Sequence, residues 1–397
     1  MPPRDPAGLP RQVKLFGCVS LLNDFASEMI YPLLPAFITG VLGAGPQALG
    51  ALDGAAEFAA ALVKLGAGRL ADRVPLRGTL IVLGYFIAVV VRPIIAVTGA
   101  AWQVIGLRVV DRVGKGIRTP PRDALIADAT SPDQRGRAFG LQRAFDHAGA
   151  VLGPLVAWAL LASHRVNLRA VIGASIVPGV VVVVLAMWAV GVKDNGDGKT
   201  AGRKADDTAV PISLPSYRPT VGVLIPAFYL LRVPDALIIL RSQDLGVPVA
   251  AVPLLWAAVH VVRSASSVVG GARTDRLGAG RTMWLGWTAY ALVAAAFALA
   301  RTAPGAWGCF LAMGIVAGLT ESPERALVAR LAGARQGSGF GSYHGWTGLA
   351  ALAGGVAIGV LYQQAGGATA FAVSAAAGAA LTLAPLLRPV RAGLIGG

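Results

Sequence analysis

Apolar residues run in blocks of about twenty along the chain, and polar residues collect in short turns between them, which is the spacing of helices that cross a bilayer. The pattern predicts spans at 15–38, 47–67, 78–98, 101–121, 138–162, 168–191, 220–242, 248–269, 282–300, 306–328, 339–362 and 369–387. One long polar stretch, 193–219, interrupts the rhythm and reads as a linker between six spans and six. The expected fold is an all-α integral membrane protein with twelve transmembrane helices in two pseudo-symmetric bundles. Its parts are an N-terminus 1–14, a six-helix bundle 15–192, the linker, a second six-helix bundle 220–388 and a tail 389–397. The first span is long and carries Asp24 and Glu28, so it does not read as a cleavable signal peptide.

The two halves repeat. Gly68-Arg69-Leu70-Ala71-Asp72-Arg73 returns in degenerate form as Gly271-Ala272-Arg273-Thr274-Asp275-Arg276. The same alignment sets Gly116 on Gly318, Pro121 on Pro323, Phe139-Gly140 on Phe340-Gly341, Gly153 on Gly354 and Glu28 on Asp235. A parallel duplication accounts for this register and places a central cavity between the halves.

Composition agrees with lipid as the main solvent: 55% of residues are hydrophobic, 14% are charged, and the mean hydropathy is +0.65. The net charge of +15 suggests nucleic acid until its position is considered. Arg69, Arg73, Arg77, Arg135, Arg137, Lys193, Arg203, Arg273, Arg276 and Arg335 fall in alternate connections, whereas the other connections hold Arg165, Arg169, Arg241 and Arg301. By the positive-inside rule both termini are cytoplasmic, in a multi-pass protein of the inner or plasma membrane that meets lipid and not nucleic acid. Trp102, Trp188, Trp284, Trp287 and Trp307 lie near span ends, where interfacial anchors are expected. Cys18 and Cys309 sit inside spans with no metal-ligand spacing and are expected as buried thiols.

Along essentially its whole length the chain resembles transporters of the major facilitator superfamily. The resemblance rests on the two sixes of spans, on the loop Gly68 to Arg77, and on Gly149-Ala150-Val151-Leu152-Gly153-Pro154 in the fifth span. That last motif is similar to one in the superfamily's drug and proton antiporters, although Leu155 and Val156 stand where small residues usually follow. Pro75 likewise replaces the usual glycine of the loop. The resemblance implies that a single chain is the working unit. It also implies a gating role for Asp72 and Arg73, an intercalated helix contact at Gly149, Gly153 and Pro154, and proton coupling through an arginine of the fourth span, for which Arg112 is the nearest equivalent.

Ionisable groups at bilayer depth cost about 2.5 to 3.5 kcal/mol each on insertion scales, so each is a candidate for function. Glu28 and Asp24 lie one helical turn apart, with Tyr31 and Pro32 following. Glu28 is the first candidate for proton coupling, then Asp24, its repeat equivalent Asp235, and Glu321. Asp53 and Glu57 lie nearer the outer end and read as outer-gate groups. The fourth span holds Arg108, Asp111, Arg112, Lys115 and Arg118, more cation than its one aspartate can neutralise. Arg112, Lys115, Arg118, Arg143, His147, Arg232, Tyr31, Tyr343 and Trp346 are the candidate substrate contacts. His260, Arg263 and His344 extend that polar wall. The prolines of Thr119-Pro120-Pro121 are expected to end the fourth helix, leaving Arg122 and Asp123 for an inner gate together with Asp72, Arg73, Arg77, Asp275 and Arg276.

No Walker loop, nucleophile motif or metal-ligand cluster appears, so no enzyme, ATP-driven pump or cofactor is predicted. Energy then comes from an ion gradient. The leading reading is a secondary transporter working by alternating access and exporting a small organic molecule in exchange for protons. The alternatives are uptake or exchange of an organic anion held by the intramembrane Arg and Lys residues, and a lipid transporter or non-transporting receptor.

Overall fold

The computed structural model describes residues 9–71, 77–130, 135–163, 165–192, 219–332 and 336–383, and among them every regular element is helical. The loop bearing Asp72 and Arg73, most of the 193–219 stretch and the tail lie outside the described residues. The first half runs α1 (Arg11–Ile30), α2 (Leu34–Ala36), α3 (Pro46–Ala71), α4 (Arg77–Ile94), α5 (Ala101–Asp128), α6 (Arg135–Ala162), α7 (Leu168–Ala174) and α8 (Ile176–Gly191). The second half runs α9 (Pro219–Leu231), α10 (Asp235–Asp244), α11 (Val252–Leu277), α12 (Ala279–Leu299), α13 (Ala303–Ala332) and α14 (Gln336–Leu383).

Eight of these segments are long and apolar enough to cross a membrane. One of them, Tyr343–Leu383, would reach about 60 Å if straight, twice the hydrocarbon thickness. It breaks at Gly366, whose φ of 82° and ψ of 163° suit glycine alone, so the predicted boundary between 362 and 369 falls where the helix turns. Three further helical segments, 11–41, 46–71 and 101–128, have spanning length but carry more charge. The valines and Met187 on the outward face of α8 stay exposed, Val177 at 67%, as lipid contact requires.

Prolines shape the elements that line the centre. Pro32 tightens the chain after α1 into a 3₁₀ turn over Tyr31–Leu33. Pro234 separates α9 from α10, and the groups freed there are met by neighbours. The N–H of Val233 donates to the Tyr290 hydroxyl at 2.8 Å, and the Ser374 hydroxyl donates to the Leu231 carbonyl at 2.6 Å. Pro120 and Pro121 do not end the fourth predicted span, contrary to expectation, because α5 continues through them to Asp128. Side chains on either side of the prolines anchor the helix to α4 and α1: Arg118, before them, donates to the Gly84 carbonyl at 3.0 Å, and Arg122, after them, donates to the Ser20 hydroxyl at 2.9 Å.

Close helix approach explains the many glycines. α1 packs on α6, α3 on α5 and α14, α11 on α6 and α13, and α14 on α9 and α12. Glycines aligned by the repeat make equivalent contacts. A side chain on Gly153 would meet the Phe25 carbonyl of α1, and one on Gly354 would meet the Leu230 carbonyl of α9. Gly116 faces Val63 of α3, and Gly318 faces Ser266 of α11. Gly149 abuts Leu21 in the same seam as Gly153, so the fifth-span motif, with Pro154 inside α6, packs against α1. The halves meet most extensively along α3 on α14 and α6 on α11; in the first seam, Gly50 and Gly355 approach backbone to backbone.

Two expectations are corrected here. Trp287 is fully buried and stacks on Phe228 at 5.5 Å, so it is core and not an interfacial anchor, while Trp102 is 72% exposed. Cys18 and Cys309 are free thiols that are only partly buried, Cys309 packing against the edge of the large apolar core.

Gly153→Ala drives a methyl into the α1 backbone, and a loss of about 1 to 3 kcal/mol is expected from such overpacking. A lowered midpoint of thermal unfolding in detergent checks this, with Gly99→Ala, where nothing lies within 4 Å of the added carbon, as the control.

Candidate functional site

A cavity of about 410 Å³ lies between the two halves, a size suited to a small organic molecule. Its walls come from both. α1 and the turn after it supply Glu28 and Tyr31, α3 supplies Asp53 and Glu57, and α5 supplies Arg108 and Arg112. From the second half, the break between α9 and α10 brings Arg232 and Asp235, α11 brings Trp256, His260 and Arg263, α13 brings Glu321, and α14 brings Tyr343 and His344. Tyr229 of α9 completes the wall.

Five carboxylates and four guanidiniums therefore face one space. Most are engaged. Asp235 pairs with Arg232 at 3.2 Å and with Arg263 at 3.5 Å. Arg108 pairs with Asp111 at 3.2 Å, and Asp111 also takes Arg92 of α4 at 2.9 Å, all three being buried. Arg92 further donates to the Asn23 carbonyl of α1 at 3.0 Å. Arg92 joins the cations of α5, so the surplus is larger than the sequence of α5 alone indicates, and backbone carbonyls meet part of it: Asn23 of α1 accepts from Arg92, and Gly84 of α4 accepts from Arg118.

Hydrogen bonds at the cavity wall cross between the halves. Trp256 donates its indole N–H to Glu28 Oε2 at 2.9 Å, tying α11 to α1. Asp53 accepts the Tyr31 hydroxyl at 2.9 Å and also the backbone N–H of Ala236 at 2.9 Å. That N–H belongs to the first turn of α10, where no partner within the helix exists for it, so a carboxylate from the other half caps the helix exposed by Pro234.

The candidates from sequence divide accordingly. Glu28, Asp235, Glu321, Tyr31, Arg112, Arg232 and Tyr343 line the cavity. Asp24, Lys115, Arg118, His147 and Trp346 do not. Asp24 accepts the Asn23 amide at 2.9 Å, one turn from Glu28 yet off the cavity wall. Arg118 is buried, donating to the Asn23 side chain at 3.2 Å and lying over the Tyr85 ring at 4.6 Å, which makes it a strut between α1, α4 and α5. Trp346 is 51% exposed on the outside of α14. Arg122 bonds Asp123 at 2.9 Å as well as Ser20, beyond the cavity. Arg77 opens α4, and Arg276 is exposed near the end of α11. Asp72 and Arg73 lie outside the described residues, as do the side chains of Arg143 and Asp275.

Sequence reasoning missed Glu324. It is wholly buried behind the wall, and its Oε2 accepts the hydroxyls of Tyr229 at 3.1 Å and Tyr343 at 2.9 Å. Its position one turn after Glu321 on a polar face, next to Pro323, was the available signal.

A sequence model described as Major Facilitator Superfamily matches residues 16–334. An uncharacterized MFS-type transporter of Methanocaldococcus jannaschii is 27% identical over 367 residues, covering 89% of each chain. A multidrug resistance protein of Photorhabdus laumondii is 29% identical over 142 residues, 36% of this chain and 35% of that one. Among solved structures, a nucleoside transporter is similar with a TM-score of 0.78 at 13% identity, over 95% of this chain and 98% of its own.

Replacing Asp111 by Asn leaves Arg92 and Arg108 buried without their counter-charge. Removing one partner of a buried ion pair costs about 3 to 5 kcal/mol, so Asp111→Asn is expected to lower the yield of folded protein sharply. Size-exclusion profiles and thermal unfolding in detergent check this, and wild-type stability would refute the structural role of Asp111.

Proposed function

The chain belongs to the Major Facilitator Superfamily, and from that premise we propose that it exports a small organic molecule in exchange for protons by alternating access. The observation that carries this reading is the surplus of carboxylate in a cavity shared by both halves, with Glu28 bonded across the divide to Trp256. A proton and a cationic substrate neutralise the same surplus, so occupancy by one disfavours the other, and that competition is the physical basis of exchange. A proton on Glu28 also weakens the Trp256 bond, because a neutral acid accepts a hydrogen bond less strongly than a carboxylate. Loading is thereby tied to the contact between α1 and α11. The partial likeness to a multidrug resistance protein supports the outward direction.

In this reading Glu28 is the principal coupling group, with Asp235 and Glu321 secondary and Asp53 a latch between the halves. The bundles 15–192 and 220–388 rock about the cavity as rigid bodies joined by 193–219, each contributing six crossings, with both termini in the cytoplasm of a cell whose membrane holds the single chain. Asp72, Arg73, Arg77, Asp275 and Arg276 then serve the inner gate. No cofactor takes part.

A second reading, movement of an organic anion, is favoured by one observation. Nε of Arg112 is buried at the cavity wall with no hydrogen-bond partner among the described residues. The other three guanidiniums of the wall already face carboxylates, which weighs against it.

In proteoliposomes, an imposed proton gradient is expected to drive uphill movement of a cationic dye by the wild type and not by Glu28→Gln. Dye binding by the variant should stay within about tenfold of wild type, about 1.4 kcal/mol. Uphill movement by Glu28→Gln refutes its coupling role. Stabilisation of the purified protein by organic anions, and not by cations, would favour the second reading.

A further inference from the structure

The hydroxyl and indole hydrogen-bond donors of the cavity wall are all committed to the protein. Tyr31 gives its hydroxyl hydrogen to Asp53 at 2.9 Å, Tyr229 and Tyr343 give theirs to Glu324 Oε2 at 3.1 and 2.9 Å, and Trp256 gives its N–H to Glu28 at 2.9 Å. The Thr347 hydroxyl donates to the Tyr343 carbonyl at 2.7 Å. A phenol has one hydrogen and two lone pairs, so each of these tyrosines retains only acceptor capacity for anything in the cavity.

Glu324 imposes this on two of them. It is wholly buried and does not itself line the cavity, while the two tyrosines that clasp it do. Both phenols converge on Oε2, and Oε1 has no partner among the described residues. The arrangement holds whichever charge Glu324 carries: as a carboxylate it accepts both hydrogens, and as a neutral acid it places its own hydrogen on the unpartnered Oε1 while Oε2 continues to accept. Only the Tyr229 and Tyr343 oxygens, 3.3 Å apart, then face inward, as a paired acceptor beside the carboxylate of Glu321.

We infer that the cavity selects its substrate by hydrogen-bond donors, taking small organic ammonium ions that carry N–H groups and discriminating against quaternary ammonium ions of the same charge. Glu324 is the positioning residue for this selection, and Tyr229 and Tyr343 are the groups that read it. The guanidiniums and imidazoles of the wall are the donors that remain, and three of the four guanidiniums already face carboxylates. The inference deepens the export reading and rests on its cationic substrate.

The test compares binding of phenethylammonium, its N,N-dimethyl form and its N,N,N-trimethyl form to the purified full-length protein, by quenching of tryptophan fluorescence. All carry one positive charge and one ring, and they differ in the number of N–H groups. Wild type is expected to bind the primary ion about tenfold more tightly than the trimethyl ion, the worth of one charge-assisted hydrogen bond, with the dimethyl ion between. In a Tyr229→Phe, Tyr343→Phe double variant the preference should shrink to about threefold or less while affinity for the trimethyl ion is retained. Glu324→Met, which returns the phenol hydrogens to the cavity, should shrink it likewise and serves if the double variant fails to fold. Equal binding of all three ions by wild type overturns donor selection and leaves the exporter intact. A preference that the variants do not alter assigns the effect to the wall carboxylates or to methyl bulk, and overturns the role of Glu324 and its two tyrosines. Failure of every ion to bind overturns the cationic substrate on which it rests.

Discussion

Charge inside a low-dielectric membrane has to be balanced across helices, and the molecule is organised around that constraint. Asp111 sits at the point of greatest need. It receives Arg92 from α4 and Arg108 from its own helix, and Arg92 reaches on to the backbone of α1. Arg118 repeats the arrangement one level along, tying α5 to α4 through Gly84 and to α1 through Asn23. A charge that costs several kcal/mol when isolated becomes a cross-link when its partners come from neighbouring helices. The first half is thereby held as a unit, and Arg108 is the one cavity-lining group that this network uses.

The same constraint leaves the cavity with chemistry to offer. Once Arg108 is assigned to Asp111, and Arg232 and Arg263 to Asp235, the carboxylates of Glu28, Asp53, Glu57 and Glu321 outnumber the cations left near them. Glu28 and Asp53 each take a donor from the opposite half. Bonds of that kind report the relative placement of the halves to the groups that bind protons and substrate. Alternating access needs such reporting, since occupancy can shift a conformational equilibrium only through interactions that differ between its states.

Glycine and proline make this geometry reachable. The seams at Gly153 on Phe25 and Gly354 on Leu230 bring backbones into contact, so that α1 and α9 lie close enough to the partners of their polar side chains. Pro32 and Pro234 break those same two spans beside Glu28 and Asp235, turning Tyr31 and Arg232 into the central space. The repeat seen in the sequence is therefore a repeat of packing contacts and of helix breaks.

Sequence by itself determined the helical membrane class, the superfamily and the register of the repeat, because hydropathy over twenty residues and glycine spacing are local properties of the chain. It also singled out Glu28, Asp235 and Arg112, since a charge in an apolar run stands out wherever it points. Tertiary structure alone decided which charges serve the cavity. Asp24 and Glu28 share a helical face, yet Asp24 meets Asn23 while Glu28 meets Trp256, 228 residues away in the chain. Arg118 became a strut and Trp346 turned outward. Glu324 acquired its meaning only when α9 and α14 brought two phenols to it. Such pairings depend on which helices are neighbours and how they are rotated, and that information is spread over the whole chain.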